Sequence, residues 1–318
     1  MSYRQADLSK IKTYSISKRK SKVEISGLGK ALPANGNLKK VTRLWFDSLP
    51  RILKAQDLNL LIDGIVSARR KKKGIIFMLG AHTIKCGLSP VLIDLMQRGY
   101  VTHLATNGAG AIHDLELAYW GKTSEEVSDG LKTGKFGMAK ETAQKFNSVS
   151  LSAERNRIGL GEALGRKLKA ERAKYAGLSL LATALELKIP ASVHVALGTD
   201  IVHQHPNFDA ASTAQASFRD FKILCHSVQS LANGGVVLNI GSAVLLPEVF
   251  LKALSVARNI YGRVGNFTTA NFDMIMQYRP LVNVVQRPTA ESGRGFNFVG
   301  HHEIMIPLLA AGIKARGN

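Results

Sequence analysis

Cysteine is scarce in this 318-residue sequence, with only Cys86 and Cys225 present. Two such distant thiols make neither a metal-binding spacing nor a disulfide framework, so a cytoplasmic setting with both thiols reduced is expected. Long apolar runs are missing as well. None reaches the roughly 18 to 20 residues that a bilayer-spanning helix needs, and no membrane partner is expected. The first twenty residues, MSYRQADLSKIKTYSISKRK, lack the apolar stretch of a secretory signal. No G-x-S-x-G elbow, Walker loop or protein-kinase set occurs, which removes the motif-based routes to those chemistries. H-E-x-x-H and Cys-x-x-Cys are absent too, so no metal site is expected.

Acidic residues are few beside basic ones: 23 Asp and Glu face 43 Lys and Arg, a formal charge of +20. Residues 1–73 alone hold 18 of those bases and 5 acids. A nucleic-acid or acidic-protein surface is one reading of this excess, and a solvated basic arm or a proteome-wide basic bias is the other. Few aromatics are interleaved with the bases of that stretch, which favours the solvated arm. Hydrophobic residues make up 45% of the chain and charged ones 21%, enough apolar surface for a sizeable buried core.

Residues 1–40 read as a basic arm and 41–318 as a single α/β domain. From Val41 to Arg70 apolar residues recur at helical spacing (Leu49, Ile52, Leu53, Leu58, Leu61, Ile62, Ile65), with a break near Pro50. GIIFMLG, VTHLA, ASVHVALG and GGVVLNIG are short apolar runs that fit buried strands. Helical patterns separate them: GLSPVLIDLMQRG, AIHDLELAYWG, most of residues 124–188, residues 213–232 and LLPEVFLKALSVARN. NFTTANFD and LVNVVQ read as strand-like, and EIMIPLLAAGIKA as a closing helix. Strands alternating with helices predict a Rossmann-like, doubly wound α/β fold: a mostly parallel sheet covered by helices on both faces.

In such a sheet ligands bind beyond the carboxyl ends of the strands. That rule nominates GAHTIKCG (80–87), TNGAGAIHD (106–114), GTDIVHQHP (198–206), NIGSAVLLP (239–247) and TTANFD (268–273), all rich in small polar residues. Glycine lets a backbone approach a phosphate, and a following helix N-terminus favours an anion. GAGAIH lacks the third glycine of a dinucleotide fingerprint, however, and Asp114 suits an ordinary helix turn equally well. His113, His203, His205 and His301 are candidate acids or bases, because histidine titrates near neutrality. His203, His205, His301 and Glu303 could alternatively ligate a metal in a hydrolase. Lys85 is a candidate nucleophile.

The order of these loops, from about Gly74 to Ala315, resembles the deoxyhypusine synthase family. LGAHTIKCGLSPVLIDLMQRGYVTHLATNGAGAIHDLELA is similar to its Gly-rich region, LGTDIVHQH to its Leu-Thr-Asp-Gly segment, and NFTTANFD to its Asn-Thr-Ala-Gln-Glu-Phe-Asp. GGVVLNIGSAV sits where that family has a Gly-Gly-Gly strand end, and FVGHHEIMIPLLAAGI where it has Gly-Asp-Ala-Ser and an apolar helix. The resemblance implies a Rossmann-like homotetramer that binds NAD and transfers the butylamine part of spermidine to a lysine of a translation factor. It implies NAD contacts at Thr83, Asn107, Gly108, Gly110, His113, Asp114, Asp200, Gly241, Thr269, Ala270, His301 and His302, with Asp273 holding a polyamine. The family's Ser-Trp-Gly-Lys segment has no counterpart before FNFVGHHE, and Val244, Leu245 and Leu246 replace its Lys-His-His. Without that lysine no imine forms on the enzyme, so deoxyhypusine synthesis itself is not expected. The expected function is an NAD-binding enzyme that transfers or oxidises the aminoalkyl group of a polyamine or small amine, with His113, His203 or His301 as base. The alternative is a non-catalytic protein of the same fold that contacts RNA or an acidic protein through its basic arm.

Overall fold

The computed structural model describes residues 6–33 and 36–317. Residues 1–5, 34 and 35 of the expected basic arm therefore lie outside the described residues. Helices α1 (Gly36–Ser48) and α2 (Leu53–Arg70) flank the break at Pro50. Strand β1 (Ser21–Glu24) precedes them, and the central strand β2 (Ile75–Leu79) follows. Then come α3 (Ala81–Lys85), α4 (Ser89–Gln97), β3 (His103–Asn107), α5 (Gly108–Trp120) and β4 (Lys122–Glu125). Four helices, α6 (Val127–Lys132), α7 (Lys140–Arg155), α8 (Leu160–Ala170) and α9 (Leu180–Glu186), lead to β5 (Ala191–His194). The rest is α10 (Ala210–Val228), β6 (Val236–Ile240), α11 (Leu245–Tyr261), β7 (Phe267–Asp273), α12 (Tyr278–Pro280), β8 (Gly293–Val299) and α13 (His302–Arg316).

Six strands form one parallel sheet in the order β5-β3-β2-β6-β7-β8. Numbered along the chain, that order is 3-2-1-4-5-6, the doubly wound arrangement whose direction reverses between its first and fourth strands. The fold is thus a Rossmann-like α/β fold, as the sequence predicts. Alternation along β2 shows why it is covered twice. Ile75, Phe77 and Leu79 join one apolar cluster with α2, α4, α5 and α13, while Ile76 and Met78 join a second with α10 and α11. Leu58, Leu61, Ile62 and Ile65 of α2 are all buried. Each such side chain contributes about 1.5–3 kcal/mol through its burial.

Part of the basic N-terminal stretch is tied to this body. β1 pairs antiparallel with β4, and Ile16 and Arg19 are buried. Ser15 Oγ and the Ile16 amide both donate to the Glu141 carboxylate at 2.7 Å. Gly121 ends α5 with φ +65°, and a Cβ there would lie 2.4 Å from Ile25 Cδ1, so glycine serves both the left-handed cap and the docking of this stretch.

Two local expectations need correction, and one strand had no expectation. LVNVVQ is not a strand but a π-helical stretch (Leu281–Gln286) that buries Val284 and Val285. A short apolar run does not by itself distinguish helix from strand. GRGFNFV, for which the sequence offered no reading, forms β8, an edge strand whose first three residues are exposed and which leaves little alternation to read. TTANFD is not a loop beyond a strand but the body of β7, so the carboxyl end of that strand begins only at Asp273.

Candidate functional site

Beyond the carboxyl ends of β3 and β5 lies a cavity of about 220 Å³. Its wall includes Arg19, Lys85, His113, Glu116, Glu125 and Asp200. Helix α5 supplies His113 and Glu116, three residues apart and so on one helix face. The N-terminal stretch supplies Arg19, β4 supplies Glu125, and the turn after β5 supplies Asp200.

Glu116 organises one side. Arg19 Nη1 and Nη2 donate to its two oxygens at 2.7 and 2.8 Å, Thr142 Oγ1 at 2.7 Å and Thr123 Oγ1 at 2.5 Å. Burial by itself raises a carboxyl pKa, but the Arg19 hydrogen bonds and charge, with Thr123, outweigh it and hold Glu116 below its usual value. Thr123 therefore gives its only hydroxyl proton to Glu116. His113 Nδ1, 2.6 Å from Thr123 Oγ1, must then be the donor, which leaves the lone pair on Nε2. Burial lowers the His113 pKa to about 4, so the ring is neutral at pH 7.

The other side is acidic. Asp200 is 7% exposed, and burial pushes its carboxyl up to about 6. It caps the 3-10 turn Ile201–Gln204, yet its Oδ2 is buried with no hydrogen-bond partner. His203 stands behind it: Nδ1 accepts the Gly198 and Asp200 amides at 3.1 and 3.2 Å. His203 Nε2, 3.8 Å from an Asp200 oxygen, is too far for a hydrogen bond. Glu125 accepts from the Gly137 amide at 3.0 Å and from Tyr14 Oη at 3.1 Å, and burial raises its pKa. Lys85 is exposed at the wall and makes no ion pair among the described residues.

The remaining expected site residues fall into three groups. Gly241, Asp273, His301 and His302 lie at the ends of β6, β7 and β8, where His302 packs edge-on against His82 at 5.7 Å. His302 Nε2 donates to the Phe272 carbonyl at 3.2 Å, while its Nδ1 is buried without a partner. Asp273 Oδ1 accepts the Met274 amide at 2.8 Å, and His301 is exposed. A second group packs against the chain itself. Thr269 and Ala270 are fully buried inside β7, and Thr83 Oγ1 donates to the Gly80 carbonyl at 2.7 Å. Asp114 points to the far side of α5, where it accepts the Leu180 and Leu181 amides at 2.7 and 3.2 Å and caps α9. The third group, Asn107, Gly108 and Gly110, opens α5, with Asn107 Oδ1 accepting the Gly110 amide at 2.8 Å.

A metal hydrolase built from His203, His205, His301 and Glu303 is excluded by topology. The first two follow β5 and the last two follow β8, at opposite edges of the sheet. The glycines at the strand ends are explained by the chain itself, without a nucleotide. A Cβ on Gly80 would lie 2.0 Å from the Gly241 carbonyl oxygen, and one on Gly108 would lie 1.8 Å from Asp200 Oδ2. The His302 ring occupies the corresponding space at Gly241, 3.0 Å away. These glycines make room for the chain's own atoms. The cavity is also below the roughly 300–1,000 Å³ of drug-sized ligand pockets, and suits a molecule of amino-acid size.

Sequence reasoning found His113, Asp200 and Lys85 but missed Arg19, Glu116, Thr123, Glu125 and Thr142. Glu116 was findable from its three-residue spacing to His113. Arg19 was not, because 97 residues separate it from Glu116.

No protein-family model and no curated protein matches the sequence. Solved structures match at the level of fold. AgrE in ternary complex with ornithine and NAD+ is 14% identical, with a TM-score of 0.51 over 81% of this chain and 32% of that one. This chain thus spans about a third of the length of AgrE. A conserved putative LOR/SDH protein from Methanococcus maripaludis S2 is 14% identical, with a TM-score of 0.50 over 90% of this chain and 71% of that one. A putative deoxyhypusine synthase from Entamoeba histolytica is 12% identical, with a TM-score of 0.50 over 81% and 87%. At these identities the likeness is one of fold alone. Among the described residues no helix is long and apolar enough to cross a membrane.

Proposed function

We propose that this chain is an enzyme acting on a small amine that also carries an anionic group, such as an amino acid, bound in the cavity between α5 and the turn after β5. The observation that carries the reading is Asp200, a buried carboxyl that lines the cavity and whose Oδ2 has no hydrogen-bond partner. Such an atom is costly unless a donor reaches it, and an ammonium group supplies both the donor and the charge. Glu125 adds a second acidic group, whereas the charge of Glu116 is already matched by Arg19. Lys85 at the wall suits the ligand's anionic end. His113, neutral with its lone pair on Nε2, accepts a hydrogen bond from the bound amine, and Thr123 and Glu116 steady the ring behind it.

NAD is the cofactor this fold suggests, AgrE having been crystallised with it together with ornithine. No step is routed through it.

The test is calorimetric titration of the purified chain with ornithine, putrescine, spermidine and NAD. Ornithine is expected to bind, with Asp200→Asn weakening it at least tenfold and Lys85→Ala removing the preference over putrescine. If no amine binds, or if Asp200→Asn binds ornithine as tightly as wild type, the reading fails. NAD binding alone would return the site to the nucleotide expectation.

A further inference from the structure

The basic excess finds its aromatic partners on a different part of the molecule from the N-terminal stretch. Along α10, Phe218, Lys222 and His226 recur every four residues and so form one stripe, about 12 Å from end to end. All three are exposed, Phe218 to 57%. Lys222 Nζ lies 5.2 Å above the Phe218 ring, and Phe218 stacks on Phe221 at 6.0 Å with a 17° interplanar angle. His226 meets Tyr261, the last residue of α11, edge-on at 5.9 Å, and Tyr261 is 45% exposed.

The stripe ends at the amino edge of the sheet, opposite the cavity. There the Gly74 amide donates to Ser230 at 2.9 Å, and the Asn233 amide donates to Gly265 at 3.0 Å. Those contacts bring Lys71 and Lys72, just before β2, and Arg263, just before β7, to either side of the C-terminal end of α10. All three are exposed and make no ion pair among the described residues. Two exposed aromatics thus stand near cations that make no ion pair among the described residues. The acids of the cavity lie at the other edge.

We propose that this surface binds single-stranded nucleic acid, with one base stacking on Tyr261, another on Phe218 as Lys222 swings from that ring to a phosphate, and phosphates lying along Lys222, Lys71, Lys72 and Arg263. Stacking on exposed rings requires unpaired bases, which separates this partner from a duplex, and the phosphate contacts make binding fall with salt. An acidic protein would use the cations but not the flat ring faces.

The experiment is fluorescence anisotropy of the full chain with labelled twelve-nucleotide oligo-U and oligo-dT, a duplex of equal length and a poly-Glu peptide. Oligo-U or oligo-dT is expected to bind at 50 mM KCl and to weaken roughly tenfold or more by 200 mM. Phe218→Ala with Tyr261→Ala should weaken it at least tenfold without changing the thermal midpoint, since both rings are exposed. Lys71→Glu with Lys72→Glu should weaken it and flatten the salt dependence. Absence of oligonucleotide binding at 50 mM KCl, or unchanged affinity in the aromatic double variant, would overturn the proposal. Equal affinity for the duplex or for poly-Glu would overturn it too, by showing that charge alone is read.

Discussion

Arg19 and Glu116 stand 97 residues apart in sequence and meet as a two-pronged ion pair, 2.7 and 2.8 Å long, with both side chains almost fully buried. Through this pair the N-terminal stretch becomes part of the cavity wall. Removing one partner strands a buried charge. Arg19→Met is therefore expected to cost about 3–5 kcal/mol in urea unfolding, and Arg19→Met with Glu116→Leu to recover most of it. A single-variant loss under about 1 kcal/mol would show that Glu116 does not depend on Arg19.

Gly108 is held to glycine by Asp200, whose Oδ2 lies 1.8 Å from the position a Cβ would take. Gly108→Ala should destabilise the chain by about 1–3 kcal/mol, as overpacking does. Adding Asp200→Ala should restore part of the thermal midpoint. Equal midpoints for the single and double variants would show that Asp200 is not the obstructing group.

Asp220 on α10 accepts the Gly161 and Val193 amides at 2.9 and 2.8 Å, and burial pushes its carboxyl from 3.8 up to about 7. A carboxyl with a raised folded pKa holds its proton better when folded. The stability of wild type relative to Asp220→Asn should thus be greatest below pH 3.8 and be lost as the pH rises through about 7. The slope is at most about 1.4 kcal/mol per pH unit. Parallel stability–pH curves for the two proteins would contradict this.

His103 and His194 share Ser192 Oγ, each 2.9 Å from it, and His103 also meets Ser227 Oγ at 2.8 Å. Burial lowers their pKa values to about 3 and 4. Both are depressed below 6.5, so their contribution to stability is present above that pH and is lost as the pH falls. Imidazole nitrogen NMR should find both rings neutral at pH 5. A titration midpoint near 6.5 for either would show that the chain is open to solvent.

The sheet was legible because a doubly buried strand has to be continuously apolar, as IIFML and VVLNI are. His113 and Asp200 were legible because strand-end loops follow from the sheet. Thr269 and Ala270 misled because small polar residues suit a loop and a buried strand equally. LVNVVQ misled because β-branched residues also fit a helix packed on a sheet.

By itself the sequence determined the alternation of strands and helices, and hence the covered parallel sheet with its loops at one edge. Its periodicities are local, set by side chains two or three to four residues apart. Only the tertiary structure decided that Glu116 meets Arg19, that Asp114 caps α9 while Asp200 faces a cavity, and that aromatics and cations align along α10. Those relationships join residues distant in the chain, and they depend on which faces of the elements pack together.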